Sequence, residues 1–200
     1  MSFMSTSVGS ASTVSSRPPI PPEWFLRRAS GYVELAELLT DGNAPAPRPA
    51  RAMLRRALEE LRCLSDVERL GPAASLLEGE ARRAAGEWEA ALAPFTRAVA
   101  GRTGRLEAWL GLGWCHKRLG DLPAAIDALE RGLRAFPGQA ILLYNLACYH
   151  SLAGDVAVAI ERLTQAIALD PRFRDMTGAE HDFDPIRSDP RFVAATSVTV

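Results

Sequence analysis

The 200-residue sequence contains a single lysine, Lys117, and only three cysteines. Cys63, Cys115 and Cys148 are odd in number, widely spaced and without a CxxC pair. They offer no disulfide framework, which suits a reducing compartment. Long apolar runs are missing as well, since none approaches the roughly 20 residues that span a bilayer. Neither sign of charge is in excess, with 23 basic against 24 acidic residues, so no bulk field draws the chain to nucleic acid or a membrane surface. Met1 to Ser16 lack the charged start and apolar core of a secretory signal. Together these absences lead to the expectation of a cytoplasmic protein with neither a membrane nor a nucleic acid as partner.

What is present is a period. Gly79, Gly113 and Ala147 lie 34 residues apart, as do Gly86, Gly120 and Gly154. The second set is followed each time by an acid, Glu87, Asp121 and Asp155. Ala91, Ala125 and Ala159 form a further column, then Phe95, Leu129 and Leu163, then Ala98, Gly132 and Ala166. A fixed period of this size marks a repeat architecture, in which each unit buries its apolar face only against the next.

The units fall at 72–105, 106–139 and 140–173, each read as a first helix, a Gly-acid turn and a second helix. The glycine ends the first helix in the left-handed conformation and the acid caps the next. Pro123 fits a first helical turn, whereas Pro94 falls mid-helix and is expected to kink it. Residues 1–22 read as a disordered Ser/Pro-rich arm. Residues 23–70 read as a degenerate helix pair. Trp24, Phe25, Val33, Leu35, Leu38 and Leu39 form one inward face of its first helix, which stops at Asp41-Gly42-Asn43. Met53, Leu54, Ala57, Leu58 and Leu61 form the inward face of the second. Residues 174–200 read as a capping segment and frayed tail, with Phe183, Ile186 and Phe192 buried on one side.

The columns resemble the tetratricopeptide repeat. In the middle unit Trp109, Leu112-Gly113, Gly120-Asp121, Ala125, Leu129 and Pro137 stand where that family has its Trp, Leu-Gly, Gly-acid, Ala, Phe and Pro. The third unit matches through Leu143, Leu146-Ala147, Gly154-Asp155, Ala159, Leu163, Ala166 and Asp170-Pro171. The first departs from the pattern with Ser75 for the Trp, Glu78 for the Leu and Thr103 for the Pro. The segment from Asp170 to Phe192 is similar to the tail that closes many bacterial arrays. The resemblance implies an all-α, right-handed solenoid with a C-terminal capping helix, and a non-enzymatic scaffold that holds a peptide or helix of another protein. A structural subunit of a homo-oligomer or stable complex is one alternative, and an accessory factor of an enzyme or secretion system is another.

In that family the first helix of each unit lines the concave wall. The resemblance therefore implies a partner-binding set of Arg83, Leu110, Trp114, Lys117, Arg118, Tyr144, Cys148 and Ser151. A known use of the family, clamping a chaperone's C-terminal carboxylate, does not fit, because Leu76, Glu80, Gly111, Ile141 and Asn145 stand at the clamp positions. His116 and His150 share one column, roughly 10 Å apart on stacked units, too far to share an ion, so they read as structural. No nucleophile–base pair and no phosphate loop stands out. The expectation is no catalytic residue, no metal and no cofactor.

Overall fold

The computed structural model describes residues 20–40, 46–100 and 104–197. The arm before residue 20, the Asp41-Gly42-Asn43 stop, Thr103 and the last residues of the tail lie outside the described residues. Pro22–Glu37 forms α1 and Arg48–Arg62 forms α2, each with a proline in its first turn. A single helical turn, α3 (Asp66–Arg69), follows, held by a reciprocal capping box between Ser65 and Glu68. Three pairs come next: α4 (Pro72–Ala85) with α5 (Trp88–Val99), α6 (Leu106–Arg118) with α7 (Leu122–Ala135), and α8 (Ala140–Ala153) with α9 (Val156–Leu169). The chain closes with α10 (Arg172–Met176), a 3-10 turn over His181–Ile186, and α11 (Pro190–Thr196). Each pair packs internally and then on its neighbour in chain order, which makes an all-α solenoid.

The 34-residue turns repeat atom for atom. Gly86, Gly120 and Gly154 have φ of 83°, 81° and 84°. In each turn the glycine N–H donates three residues back, and the following acid's N–H donates five back, to Arg82, His116 and His150 carbonyls at 2.9 Å. The acids differ in what their side chains do. Only Asp121 caps the next helix, accepting from the Ala124 N–H at 3.0 Å. Glu87 instead accepts from Arg82 at 3.2 Å and Asp155 faces His150 Nδ1 at 3.1 Å. In these two turns the carboxylate faces the basic side chain five positions earlier, whereas Asp121 has His116 at that place and still caps its helix.

Helix spacing is set by one ring. Phe95 is fully buried, and its edge lies against Gly79 of α4 and Gly111 of α6. A methyl group at Gly79 would come within 2.6 Å of the ring. Likewise Gly113 receives Leu129 and Gly132 receives Trp109. The departures of the first unit are explained by a second local solution. Ser75, fully buried, accepts from Arg97 Nε at 3.3 Å, and Arg97 Nη2 donates to Glu78 at 2.8 Å. Arg97 has Arg131 as its counterpart 34 residues on, and there the guanidinium lies 5.1 Å from the Trp109 ring centre. One arginine column thus covers an indole in one unit and a hydroxyl–carboxylate pair in the other.

One expectation, the inward face of α1, needs correction, and Pro94 is accommodated inside α5, which runs from Trp88 to Val99 as one helix. Ala90, whose carbonyl loses its donor, is exposed and leaves that oxygen to water. In α1 the inward face is Ala29, Val33 and Ala36, whereas Trp24, Leu35, Leu38 and Leu39 are exposed. The small residues win because they meet Ala50, Leu54, Ala57 and Leu61 of α2 at close range. The expected outcome is that Gly79→Ala costs about 1–3 kcal/mol, as overpacking does. Gly31→Ala in α1, where a methyl group meets nothing within 4 Å, adds about 0.5–1 kcal/mol. Denaturant unfolding of both variants checks the two signs.

Candidate functional site

Stacking α4, α6 and α8 side by side makes a groove. Its floor is Leu110, Gly111 and Ile141, with the edge of Phe95 below. Its rim carries Glu80 and Arg83 from α4, Glu107 and Trp114 from α6, and Asn145 from α8. The space is about 270 Å³, room for one or two large side chains of a visiting chain. Arg83 and Trp114 also border a second cleft of about 240 Å³, shared with Glu37, Trp88 and Arg118.

The wall between the two clefts is an arginine–indole cluster. Trp88 and Trp114 meet edge to face, with centroids 6.0 Å apart. The Arg118 guanidinium lies 4.4 Å from the Trp88 ring centre and 5.4 Å from that of Trp114. Arg83 approaches Trp114 at 5.6 Å and is held from behind by Glu37 at 2.6 Å. Cation–π contact fixes the cations without discharging them. Burial, helped by Glu37 and Glu107 and opposed by Arg83, pushes the Glu80 carboxyl up to about 7.

Four of the eight expected site residues therefore come together: Arg83, Leu110, Trp114 and Arg118. The other four do not. Tyr144, Cys148 and Ser151 are buried, the first two under the closing segment that folds onto α8. Tyr144 stacks on Phe173 at 4.8 Å and meets Phe183 edge-on at 5.6 Å. Lys117 turns toward this segment, ion-paired with Asp182 and 5.5 Å from the Tyr149 ring centre. The chain's own tail thus occupies the concave wall of the third unit. Trp88, Glu37 and Asn145 belong to the clefts but not to the expected set. Trp88 starts a second helix, yet it follows the Gly86-Glu87 turn and so stands beside the end of the next first helix.

Under the closing segment, Cys148 Sγ and carboxylate oxygens of Glu180 and Asp182 lie within 4.8 Å of one another. The donor set does not suit a metal ion. Burial, reinforced by the two carboxylates, pushes the Cys148 thiol well above its ordinary range, so it stays protonated. The Lys117 ammonium already supplies Asp182 with a cation.

The comparisons with known proteins agree with the fold. A family model described as the tetratricopeptide repeat matches residues 76–140, from α4 through α7. Residues 76–140 are tetratricopeptide repeats. Among solved structures, that of MamA superposes with a TM-score of 0.62 at 19% identity, covering 76% of this chain and 79% of MamA. At that identity the likeness is one of fold. No curated protein matches the sequence. Among the described residues no helix is long and apolar enough to cross a membrane.

Two outcomes follow from the site. In the native protein Cys63, which is exposed, reacts with a thiol reagent while Cys148 is protected. Asp182→Lys sets two ammonium groups against each other and should speed Cys148 modification at least about tenfold; mass mapping of the labelled cysteines reads this directly. For Glu80, a raised folded-state value means that the folded chain binds the extra proton. Its contribution is full below the ordinary 4.5 and is lost as pH rises through about 7. Glu80→Gln should therefore gain stability over the parent progressively across that window, measured as melting temperature against pH.

Proposed function

We propose that the groove between α4, α6 and α8 holds an extended segment or a helix of another protein, and that the chain is a non-enzymatic interaction scaffold. Tetratricopeptide repeats use their concave surfaces in this way. The observation that carries the reading is the open groove itself, with Leu110 and Ile141 at its floor and Trp114, Arg83, Glu80 and Glu107 at its rim. An apolar centre with aromatic and arginine anchors is the composition of an interface hot spot.

The chemistry of the other reactive groups supports a binding role over catalysis. Burial pushes the Cys115 thiol up to about 11 and the Cys148 thiol higher still, the reverse of what a nucleophile needs. His150 and His181 face the carboxylates of Asp155 and Asp184 in local turns rather than a shared centre. A second reading, a structural subunit in a homo-oligomer, draws on the exposed apolar side of α1.

The test is affinity capture from the native cell with parent, Leu110→Glu and Trp114→Ala baits. Both positions are half-buried, so each variant should keep its melting temperature within about 2–4 °C. A partner of the groove should be lost at least about tenfold from each variant, a change of about 1.4 kcal/mol. Equal capture by all three baits overturns the groove reading.

A further inference from the structure

The interior glycines of the repeat helices each receive a side chain: Phe95 at Gly79 and Gly111, Leu129 at Gly113, Trp109 at Gly132. Gly31, in the middle of α1, receives none, and a methyl group there would meet nothing within 4 Å. The helix bears the weakening effect of glycine, and no packing among the described residues explains it. Gly31 is also the centre of a face. At about 100° per residue, Trp24, Arg27, Arg28, Glu34, Leu35 and Leu38 fall within about 60° of it. They lie on the side away from the buried Ala29, Val33 and Ala36, with Arg28 at its edge reaching Glu60 of α2 at 2.8 Å and stacking on Trp24 at 4.5 Å. Three of them are large apolar groups in water, with Trp24 43%, Leu35 51% and Leu38 82% exposed. The end unit of a solenoid needs a polar outer face for solubility, and here Trp24, Leu35 and Leu38 interrupt it.

The face is symmetric about its glycine. Trp24 precedes Gly31 by seven residues and Leu38 follows it by seven. Arg27 and Arg28 precede it by four and three, and Glu34 and Leu35 follow by three and four. Apolar, basic, glycine, acidic, apolar is a sequence of surfaces that complements itself when turned end for end. A partner of unrelated sequence has no reason to impose that symmetry.

We propose that α1 is an interface for a second copy of this chain, the two helices packing antiparallel about a two-fold axis beside Gly31. Trp24 of each copy then covers Leu38 of the other, and Arg27 meets Glu34, each contact made twice as an isologous interface requires. Gly31 stands at the crossing, where the backbones come closest. Within its own chain Arg27 is exposed and forms no ion pair among the described residues, and Glu34 holds only the Ser30 hydroxyl, at 2.7 Å. Glu37, which anchors Arg83 in the groove wall, is about 120° from the centre of this face. Dimerisation therefore leaves the groove open and stands independently of the binding reading. One helix face is smaller than the roughly 800 Å² per partner of a standard interface, so the dimer is weak and concentration-dependent.

The experiment is light scattering on the full chain from about 1 µM to about 1 mM, the range in which a small interface is half-formed. The mass should rise from 21.6 kDa toward twice that value. Arg27→Glu should weaken association at least about tenfold, and adding Glu34→Arg should restore it, because the swap keeps every cross-copy pair. Gly31→Gln should abolish dimerisation without lowering the melting temperature, since the added side chain points into open space. A monomer at every concentration overturns the proposal, as does a dimer indifferent to Arg27→Glu and Gly31→Gln. If dimers form only after residues 1–19 are removed, that segment and not a second copy covers α1 in the full chain, and the proposal fails.

Discussion

The arrangement of this molecule depends on the Phe95 ring and the two glycines that make room for it. Gly79 belongs to the helix before Phe95 in its own pair, and Gly111 to the first helix of the next pair. One side chain therefore fixes both the spacing within a unit and the spacing between units. Because the interior is close-packed, the ring cannot shift without moving a helix. The same contact places α4 against α6, which brings Arg83 to Trp114 and makes the groove floor at Leu110 and Gly111. Site and scaffold share the constraint.

The concave side built on that spacing is divided. Over the first and second units it is open, with cations stacked on indoles along its edge. Over the third unit it is filled by Phe173, Phe183 and Asp182 of the chain itself. A solenoid must end in a face that water tolerates, and here the end is made by folding the tail back over the wall. Tyr144, Cys148 and Ser151 of that wall are core. At the other end, among the described residues, no such covering lies on α1, where Trp24 and Leu38 are exposed.

Much of this was legible in the sequence because the repeat writes local chemistry at fixed spacing. The 34-residue columns and the Gly-acid turns are short-range signals, and each could be tied to one backbone requirement. The contacts that were not legible join distant parts of the chain. Lys117 and Asp182 are separated by 65 residues, and nothing in their local pattern marks them as partners. Trp88 and Trp114 are 26 residues apart in sequence, off the repeat period, so no column pairs them. In α1 the large apolar residues were read as the buried face, whereas alanines were chosen for close helix approach. Size was a poorer guide there than fit. Ser75 and Glu78 depart from the family pattern, and the reason is a bonded polar set with Arg97 that joins two helices.

The central claim is that the Phe95 ring sets the distance between α4 and α6, and a double-mutant cycle between Phe95→Leu and Gly111→Ala tests it most directly. Phe95→Leu alone removes ring atoms from a filled site, and Gly111→Ala alone forces a methyl group onto the ring. If the ring holds the helices apart, the smaller side chain makes room for the methyl group. The double variant should then be more stable than the sum of the single effects by about 1–3 kcal/mol, the coupling seen between residues in direct contact. Additivity within about 0.5 kcal/mol, as for independent sites, would contradict the account.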